Sequence, residues 1–74
     1  MKTLSACREG ERVTIRTVRG SRLIRKRLIE MGFLKGRRLE IIRYAPLKDP
    51  MEVRLGDTLM SLRVEEAAGI DVEL

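Results

Sequence analysis

The chain has 74 residues, of which 43% are hydrophobic and 36% charged; this excludes a disordered chain and predicts one small domain over residues 1–74. Residues 1–48 carry 14 basic and 4 acidic side chains, whereas residues 49–74 carry 2 and 7, so the net charge of +5 divides into +10 and −5. A single cysteine and the absence of histidine exclude an internal disulfide and a Cys/His zinc site, and they remove the most common general base near neutral pH.

Alternation of apolar and polar side chains, together with a hairpin signal before the fourth stretch, predicts five β-strands. We place these strands at residues 12–18, 37–45, 51–55, 58–64 and 70–74. In the second strand the alternation breaks at Ile41 and Ile42, which predicts a bend or a bulge. A single helical turn is expected at residues 64–69, because Gly69 ends it before the last strand.

One longer helix is predicted after the first strand. Ser21 is a favourable N-cap for it, and Gly32 is a favourable stop in the left-handed conformation. Helical spacing places four apolar side chains on one face, which we expect to lie against the core: Leu23, Ile24, Leu28 and Met31. Ile29 falls on the opposite, basic face, as a tolerated exposed residue or as a contact residue. These elements predict a mainly β or α+β domain that closes as a small bent barrel.

Single glycines mark the tight turns. Residues 7–15 and 33–41 share the pattern x-x-x-Gly-x-Arg-apolar-x-Ile, so Gly10 and Gly36 each precede a strand and are expected to have a positive φ. This echo is too short to indicate a solenoid, and we interpret it as one turn used twice. Gly56 begins a two-residue connection between the third and fourth strands, which is a strong hairpin signal.

Both prolines of the chain, Pro46 and Pro50, lie in the stretch Ala-Pro-Leu-Lys-Asp-Pro at residues 45–50. They fix φ and lack a backbone N–H, so this stretch cannot continue either neighbouring strand. A residue that precedes a proline is held extended, which leaves Leu47 and Lys48 as a pair presented on the surface. The switch from basic to acidic charge falls in the same stretch. We therefore predict a turn that is also a candidate contact surface.

No set of side chains typical of a catalytic or metal site is present. Cys7 has no histidine to activate it and is expected to fill a small apolar site beside Leu4. Four acidic residues near the C-terminus could hold a hard cation but are more often a solvated face: Glu65, Glu66, Asp71 and Glu73. We therefore predict a protein that is not an enzyme and has no cofactor or metal. A cytosolic location is expected, because no apolar run approaches the roughly 20 residues that span a bilayer.

The basic helix leaves nucleic acid open as a partner. Four cationic side chains could contact phosphates: Arg25, Lys26, Arg37 and Arg38. Phe33 and Tyr44 are the only aromatic residues, however, and two rings are too few for a stacking platform. We therefore expect no nucleic acid partner, although a basic nucleic-acid-binding module remains the alternative.

Three stretches together resemble the FeoA family. They are Leu-Ser-x-x-x-x-Gly-Glu at residues 4–11, Arg-Leu-Ile-Glu-Met-Gly-Phe-Leu-Lys-Gly at 27–36, and Ala-Pro-Leu-Lys-Asp-Pro at 45–50, followed by a strand and Ser-Leu-Arg-Val-Glu-Glu-Ala at 61–67. The resemblance covers nearly the whole chain and implies an SH3-like barrel. It also implies an accessory role in bacterial ferrous-iron uptake, exerted on the FeoB membrane transporter, which carries a cytosolic GTP-binding domain.

From this resemblance we expect a protein-interaction module that docks on the cytosolic part of the transporter and modulates transport. The candidate contact residues lie on the helix, in the step after it and in the proline stretch: Arg25, Leu28, Ile29, Phe33, Leu34, Leu47 and Lys48. Core packing is the alternative role for Leu28, Phe33 and Leu34. A metal-responsive domain, like the C-terminal domain of iron-dependent repressors, is another possible function. An exposed barrel edge could also pair weakly with a second copy of the chain.

Overall fold

The computed structural model describes residues 1–74 as one antiparallel sheet with two short helices. The strands are β1 Lys2–Thr3, β2 Arg12–Val18, β3 Arg38–Tyr44, β4 Met51–Leu55, β5 Thr58–Leu62 and β6 Ile70–Glu73, and the helices are α1 Arg22–Glu30 and α2 Val64–Ala67. The strand order is β1-β6-β2-β3-β4-β5, so β1 and β5 are the two edges. The five predicted strands and the helix are confirmed. The sheet is an open barrel rather than a closed one, and β1 is an additional strand, whose two residues are too few to show a periodic pattern.

Fifteen buried side chains form one apolar cluster, which no buried charged or polar residue interrupts. Alternate positions of the strands supply most of this core. Val13 and Ile15 of β2 are fully buried, and Met51, Val53 and Leu55 of β4 point to the same side, as the sequence pattern predicts. Neither helix is long and apolar enough to cross a bilayer.

The two similar segments of the sequence form a pseudo-two-fold pair in the sheet. β2 and β3 pair with Val13 opposite Leu39, and these two residues are equivalent positions of the segments. The turn glycine of each segment donates its N–H to the carbonyl of the isoleucine that ends the other: Gly10 to Ile41 at 2.7 Å and Gly36 to Ile15 at 2.8 Å. The same turn is therefore used twice, as predicted, and the glycine N–H of each segment forms its hydrogen bond with the other segment.

The predicted turn and bulge positions agree with the backbone. The four glycines expected in turns all have a positive φ: Gly10, Gly32, Gly36 and Gly56. The pairing of β3 with β4 shifts register between Ile41 and Arg43, where the alternation of the sequence breaks. The chain connects β4 to β5 through Gly56 and Asp57 alone, which is the predicted two-residue hairpin.

Helix α1 ends in a hydrogen-bonded motif that buries the residue after it. The Gly32 N–H donates to the Ile29 carbonyl, and the Phe33 N–H donates to the Leu28 carbonyl, both at 3.0 Å. This Schellman pattern requires a left-handed residue, and Gly32 adopts a φ of 105° without the strain that a Cβ would cause. The motif brings Phe33 back against Leu28, and both side chains are fully buried.

The predicted apolar face of α1 is confirmed for Leu28 and Met31 but wrong for Leu23 and Ile24. Leu28 is the only buried residue of the helix, whereas Leu23 is 78% exposed and Ile24 is 37% exposed. Met31, just after the helix, is partly buried against the core. Only the last turn of α1 reaches the core, so the earlier positions of the same face remain in solvent. The predicted cap is present, because the Ile24 N–H donates to the Ser21 hydroxyl at 3.2 Å.

Ion pairs join the basic first part of the chain to its acidic last part. Four of them connect an arginine of residues 1–48 with an acidic residue of residues 49–74: Arg16–Glu73 at 3.5 Å, Arg19–Asp71 at 2.8 Å, Arg27–Glu66 at 2.7 Å and Arg43–Glu52 at 2.6 Å. Each pair has a solvent-exposed member and contributes little stability by itself. Their distribution explains how a sequence with such uneven charge folds into one domain.

Gly69 lies where two strands approach closely, and its replacement by alanine is expected to lower the free energy of unfolding by about 1–3 kcal/mol. An added Cβ would lie 2.8 Å from the backbone carbonyl oxygen of Arg19, whose N–H donates to the Gly69 carbonyl at 2.6 Å. Backbone atoms cannot move aside without weakening the start of the β2–β6 pairing. Urea denaturation measures the effect. The exposed neighbour Ala68 is the control, since Ala68→Ser is expected to change stability by less than about 0.5 kcal/mol; equal effects of the two changes would contradict the contact.

Candidate functional site

Residues 45–50, here called the proline turn, project from the end of the β3–β4 hairpin. The Lys48 N–H donates to the Ala45 carbonyl at 2.6 Å, so Pro46 and Leu47 are the central residues of a β-turn. The Ala45 N–H in turn donates to the Pro50 carbonyl at 2.9 Å. The prediction is confirmed on both points: neither proline lies in a strand, and Leu47 is 90% exposed. Lys48 is also exposed and has a φ of 67°.

Asp49 anchors the proline turn to α2. Its Oδ1 atom accepts a hydrogen bond from the Val64 N–H at 3.0 Å, and its Oδ2 atom lies 4.0 Å from the Arg63 guanidinium. The first N–H groups of a helix have no partner within the helix, so Asp49 supplies one of the missing acceptors. No local sequence pattern signals this role, because Val64 lies fifteen positions after Asp49 in the chain.

A shallow, open groove of about 650 Å³ runs beside the proline turn. Tyr44, Pro46 and Val64 contribute apolar surface to it, and Arg8 and Lys48 contribute cationic side chains. Neither of these two cations forms an ion pair. The groove therefore offers apolar surface beside two cationic side chains and one carboxylate, Glu9. The exposed Leu47 is the chain neighbour of two lining residues, Pro46 and Lys48.

Tyr44 connects the groove to the first turn of the chain. Its hydroxyl donates to the Cys7 carbonyl at 2.5 Å, and burial raises the pKa of this phenol. Cys7 is buried beside Leu4 in the core, as predicted, and burial also raises the pKa of its thiol. A thiol with a raised pKa stays protonated near neutral pH and is a weak nucleophile. The thiol at this groove is thus a packing group rather than a reactive one.

The structure divides the predicted contact residues of the helical region into two groups. Leu28 and Phe33 are fully buried, so they are core residues and cannot contribute to a contact surface. Arg25 is exposed, and Ile29 and Leu34 are 40% and 43% exposed. The correction follows from the Schellman motif, which turns Phe33 inward and leaves the next residue, Leu34, in solvent.

Helix α2 lies between these exposed helical residues and the proline turn. Arg27 of α1 forms an ion pair with Glu66 of α2 at 2.7 Å, and the start of α2 is hydrogen-bonded to Asp49. The residues that remain of the predicted surface therefore form two patches. Arg25, Ile29 and Leu34 belong to the first, and Leu47 and Lys48 belong to the second.

Residues 22–38, here called the basic segment, carry more than the whole net charge of the protein. It contains seven of the sixteen basic residues and one of the eleven acidic residues, Glu30, so its net charge is +6. The rest of the chain has nine basic and ten acidic residues, so its net charge is −1. Arg27 alone among the seven forms an ion pair. The six other cations are uncompensated: Arg22, Arg25, Lys26, Lys35, Arg37 and Arg38.

The acidic residues considered as cation ligands are mostly occupied by arginines. Asp71, Glu66 and Glu73 form ion pairs with Arg19, Arg27 and Arg16. Two hydrogen bonds from the Arg19 guanidinium lower the pKa of Asp71. No group of three or more histidine, cysteine, aspartate or glutamate residues is arranged to hold a metal ion.

Glu11 makes the folded state sensitive to acid. Its carboxylate accepts the Arg8 N–H at 2.6 Å and the Lys2 ammonium at 3.0 Å, and these bonds lower its pKa from the ordinary value of 4.5. A carboxyl group with a lower pKa in the folded state stabilises that state above the ordinary value, and this contribution is lost as the pH falls through the lowered pKa. We therefore expect Glu11→Gln to reduce the loss of stability between about pH 5 and pH 3 in urea denaturation. Glu65→Gln is the control, since this exposed residue forms no ion pair; an unchanged pH profile for Glu11→Gln would contradict the assignment.

The fold and these surfaces define a small SH3-like domain with an open barrel. Its distinguishing features are a presented leucine, an apolar groove and a basic helical segment. Residues 2–74 match the family model described as the FeoA domain. The chain belongs to the FeoA family.

Individual relatives agree with this assignment. The chain is 44% identical over 71 residues to a protein of Porphyromonas gingivalis named Fe(2+) transport protein A/Fe(2+) transporter FeoB fusion protein. The match covers 96% of the chain but only 8% of the length of that relative. The solution structure of the FeoA protein of Chlorobium tepidum superimposes with a TM-score of 0.90 at 36% identity, over 97% of this chain and 69% of that one.

A third relative supports the fold class. FeoA of Stenotrophomonas maltophilia, crystallised in complex with zinc and described as a prokaryotic SH3 domain protein, superimposes with a TM-score of 0.84 at 28% identity. The superposition covers 99% of this chain and 91% of that one. The SH3-like architecture expected from the sequence is therefore confirmed, with the difference that the barrel is open.

Proposed function

We propose that this protein is a cytosolic, non-enzymatic accessory of bacterial ferrous-iron uptake, which docks on the cytosolic part of the FeoB transporter and modulates transport. Membership of the FeoA family supports the pathway. The fusion protein of Porphyromonas gingivalis supports the partner, because a chain similar to this one and the transporter form one polypeptide there. A covalent link keeps two modules at high effective concentration, whereas a separate chain needs a binding surface of its own.

The observation that carries the proposal is the exposed Leu47 in the hydrogen-bonded proline turn. A leucine with 90% of its surface in solvent contributes nothing to the core. The turn that holds it is closed by two backbone hydrogen bonds and anchored to α2 through Asp49, so little conformational freedom is left to lose on binding. We assign the principal contact to Leu47 and Lys48 together with the groove beside them.

The exposed residues of the first patch extend this contact surface. Ile29 presents an apolar side chain beside Arg25, and Leu34 presents another in the step after the helix, so all three lie within the basic segment. With a net charge of +6, this segment favours an acidic surface on the partner and accelerates association at low ionic strength. The affinity for the transporter should therefore fall as the salt concentration rises.

The chemistry of the groove supports a binding role rather than catalysis. Its one thiol, Cys7, is buried and its pKa is raised, and the chain has no histidine to act as a base. Glu9, the acidic residue of the groove, accepts the Tyr44 N–H at 3.3 Å. No pair of groups in the groove has the arrangement of a nucleophile and its base.

Nucleic acid binding is a second candidate function, which the six uncompensated cations of the basic segment favour. The burial of the two aromatic side chains disfavours nucleic acid binding, because neither ring is free to stack on a base. Phe33 is fully buried, and Tyr44 is partly buried with its hydroxyl hydrogen-bonded to the Cys7 carbonyl. Fluorescence anisotropy with single- and double-stranded oligonucleotides at two salt concentrations distinguishes this function. Binding that persists at physiological salt would replace the transporter as the partner of the basic segment.

The direct test of the proposal is a titration of the purified chain against the cytosolic part of the FeoB transporter from the same organism, by isothermal calorimetry. A saturable heat of binding is expected, together with reduced ferrous-iron uptake in cells that lack the chain and restored uptake when it is returned. If the cells without it take up iron normally and no binding is detected, the proposed function is wrong.

A further inference from the structure

Strand β5 is an open edge of the sheet. It pairs along its whole length with β4, from Leu55 opposite Thr58 to Met51 opposite Leu62, and no strand lies on its other side. The opposite edge of the sheet is protected, because β1 has only two residues and its Lys2 is bound to Glu11. Natural proteins commonly block edge strands by shortness or by charge, and β5 has neither protection.

The hairpin geometry fixes which backbone groups of β5 face outward. In a two-residue hairpin the residues next to the loop, Leu55 and Thr58, form a hydrogen-bonded pair, and such pairs alternate with non-bonded pairs along the ladder. The N–H and C=O groups of Thr58, Met60 and Leu62 therefore point to β4. The same groups of Leu59 and Ser61 point away from the sheet, where no backbone partner is present.

The side chains of β5 are also those of a pairing edge. The sequence Thr-Leu-Met-Ser-Leu contains no charged residue and no proline, and Leu59 is 56% exposed. We propose that β5 is a homodimerisation edge, on which two copies of this chain pair antiparallel about a two-fold axis at Met60. The proposal goes beyond the proposed function and does not depend on it.

A two-fold axis at Met60 brings the outward N–H and C=O groups of the two copies opposite each other. It sets Leu59 of one copy opposite Ser61 of the other, so the four outward groups of each copy meet their counterparts in two hydrogen-bonded pairs. The two Leu59 side chains become diagonal neighbours on the outer face of the joined sheet, within reach of each other. This contact would cover the most exposed apolar side chain of the strand.

Charge complementarity selects the same register. With Met60 on the axis, Asp57 before the strand of one copy lies opposite Arg63 after the strand of the other, and symmetry repeats this pair. Asp57 forms no ion pair within the chain, and Arg63 has only the 4.0 Å contact with Asp49. A shift of the register by two residues would lose both cross-strand pairs. The edge is therefore self-complementary in one antiparallel register, which favours a second copy over an unrelated strand.

A five-residue edge buries less surface than a stable dimer needs, so the association is weak and depends on concentration. Sedimentation velocity of the purified chain from about 10 μM to 1 mM is expected to show a monomer–dimer equilibrium. Ser61→Pro removes one outward N–H and leaves the ladder to β4 intact, so it should raise the dissociation constant at least about tenfold. Ser61→Ala, which keeps that N–H, is the matched control.

Charge reversal tests the register itself. Asp57→Arg and Arg63→Asp each place like charges opposite each other and should each weaken the dimer about tenfold, whereas the double variant should restore the wild-type constant within about threefold. Circular dichroism confirms that each variant is folded. The proposal is wrong if the wild-type chain stays monomeric at 1 mM, or if the dimer is insensitive to Ser61→Pro. The register is wrong if the double variant does not restore pairing. If the wild-type chain is monomeric but Ser61→Pro abolishes binding to the transporter, the edge accepts a strand of another protein and self-pairing is wrong.

Discussion

Replacing Phe33 by alanine is expected to lower the free energy of unfolding by about 3–5 kcal/mol, a large part of the 5–15 kcal/mol typical of a small domain. Phe33 is the largest fully buried side chain of the protein. The Schellman motif fixes its backbone through the hydrogen bond to the Leu28 carbonyl, so the chain cannot collapse easily into the space that the ring leaves. Urea denaturation followed by circular dichroism measures the loss.

Leu34 is the matched control for this substitution. It follows Phe33 directly in the chain but is 43% exposed, so Leu34→Ala removes little buried surface and is expected to cost less than about 1 kcal/mol. Equal losses for the two variants would mean that the buried and exposed sides of this step are wrongly assigned. A large loss for Phe33→Ala alone would support its role as a core residue rather than a contact residue.

Replacing Leu47 by serine is expected to weaken binding to the cytosolic part of the transporter about tenfold or more, without a change in stability. An exposed apolar side chain on a fixed turn is the kind of residue that becomes buried at the centre of an interface. Because Leu47 is 90% exposed in the free protein, serine removes no core contact. Calorimetric titration of wild type and variant measures the affinity, and urea denaturation confirms the unchanged fold.

Leu74 offers a control with similar exposure. It is 81% exposed at the end of the chain, outside the proline turn and the basic segment, so Leu74→Ser is expected to leave the affinity unchanged. Equal weakening by both variants would indicate a general loss of surface apolarity rather than a specific contact. Unchanged affinity for Leu47→Ser would exclude the proline turn as the principal contact, and the residues of the first patch, Arg25, Ile29 and Leu34, would then be tested in the same way.

Some features of the site were predictable because they depend on neighbouring residues alone. The prolines of the turn remove N–H donors whatever the rest of the chain does, so the end of β3 and the exposure of Leu47 followed from local sequence. The groove was not predictable in the same way. Tyr44 and Val64 meet there only because β3 and α2 are brought together, and the anchoring of the turn by Asp49 joins residues that are fifteen positions apart.

The sequence by itself determined five of the six strands, the turns and the family. Period-two alternation defined β2 and β4 to the residue, and the glycines defined the turns, because both signals act over a few neighbouring residues. Tertiary structure alone decided how much of the apolar face of α1 is buried. Periodicity identifies an apolar face but not how far along the helix the core extends; here the core reaches only Leu28, so Leu23 stays in solvent while Phe33, beyond the helix, is buried. The open edge at β5 was decided in the same way, because whether a barrel closes depends on how all the strands pack rather than on any one of them.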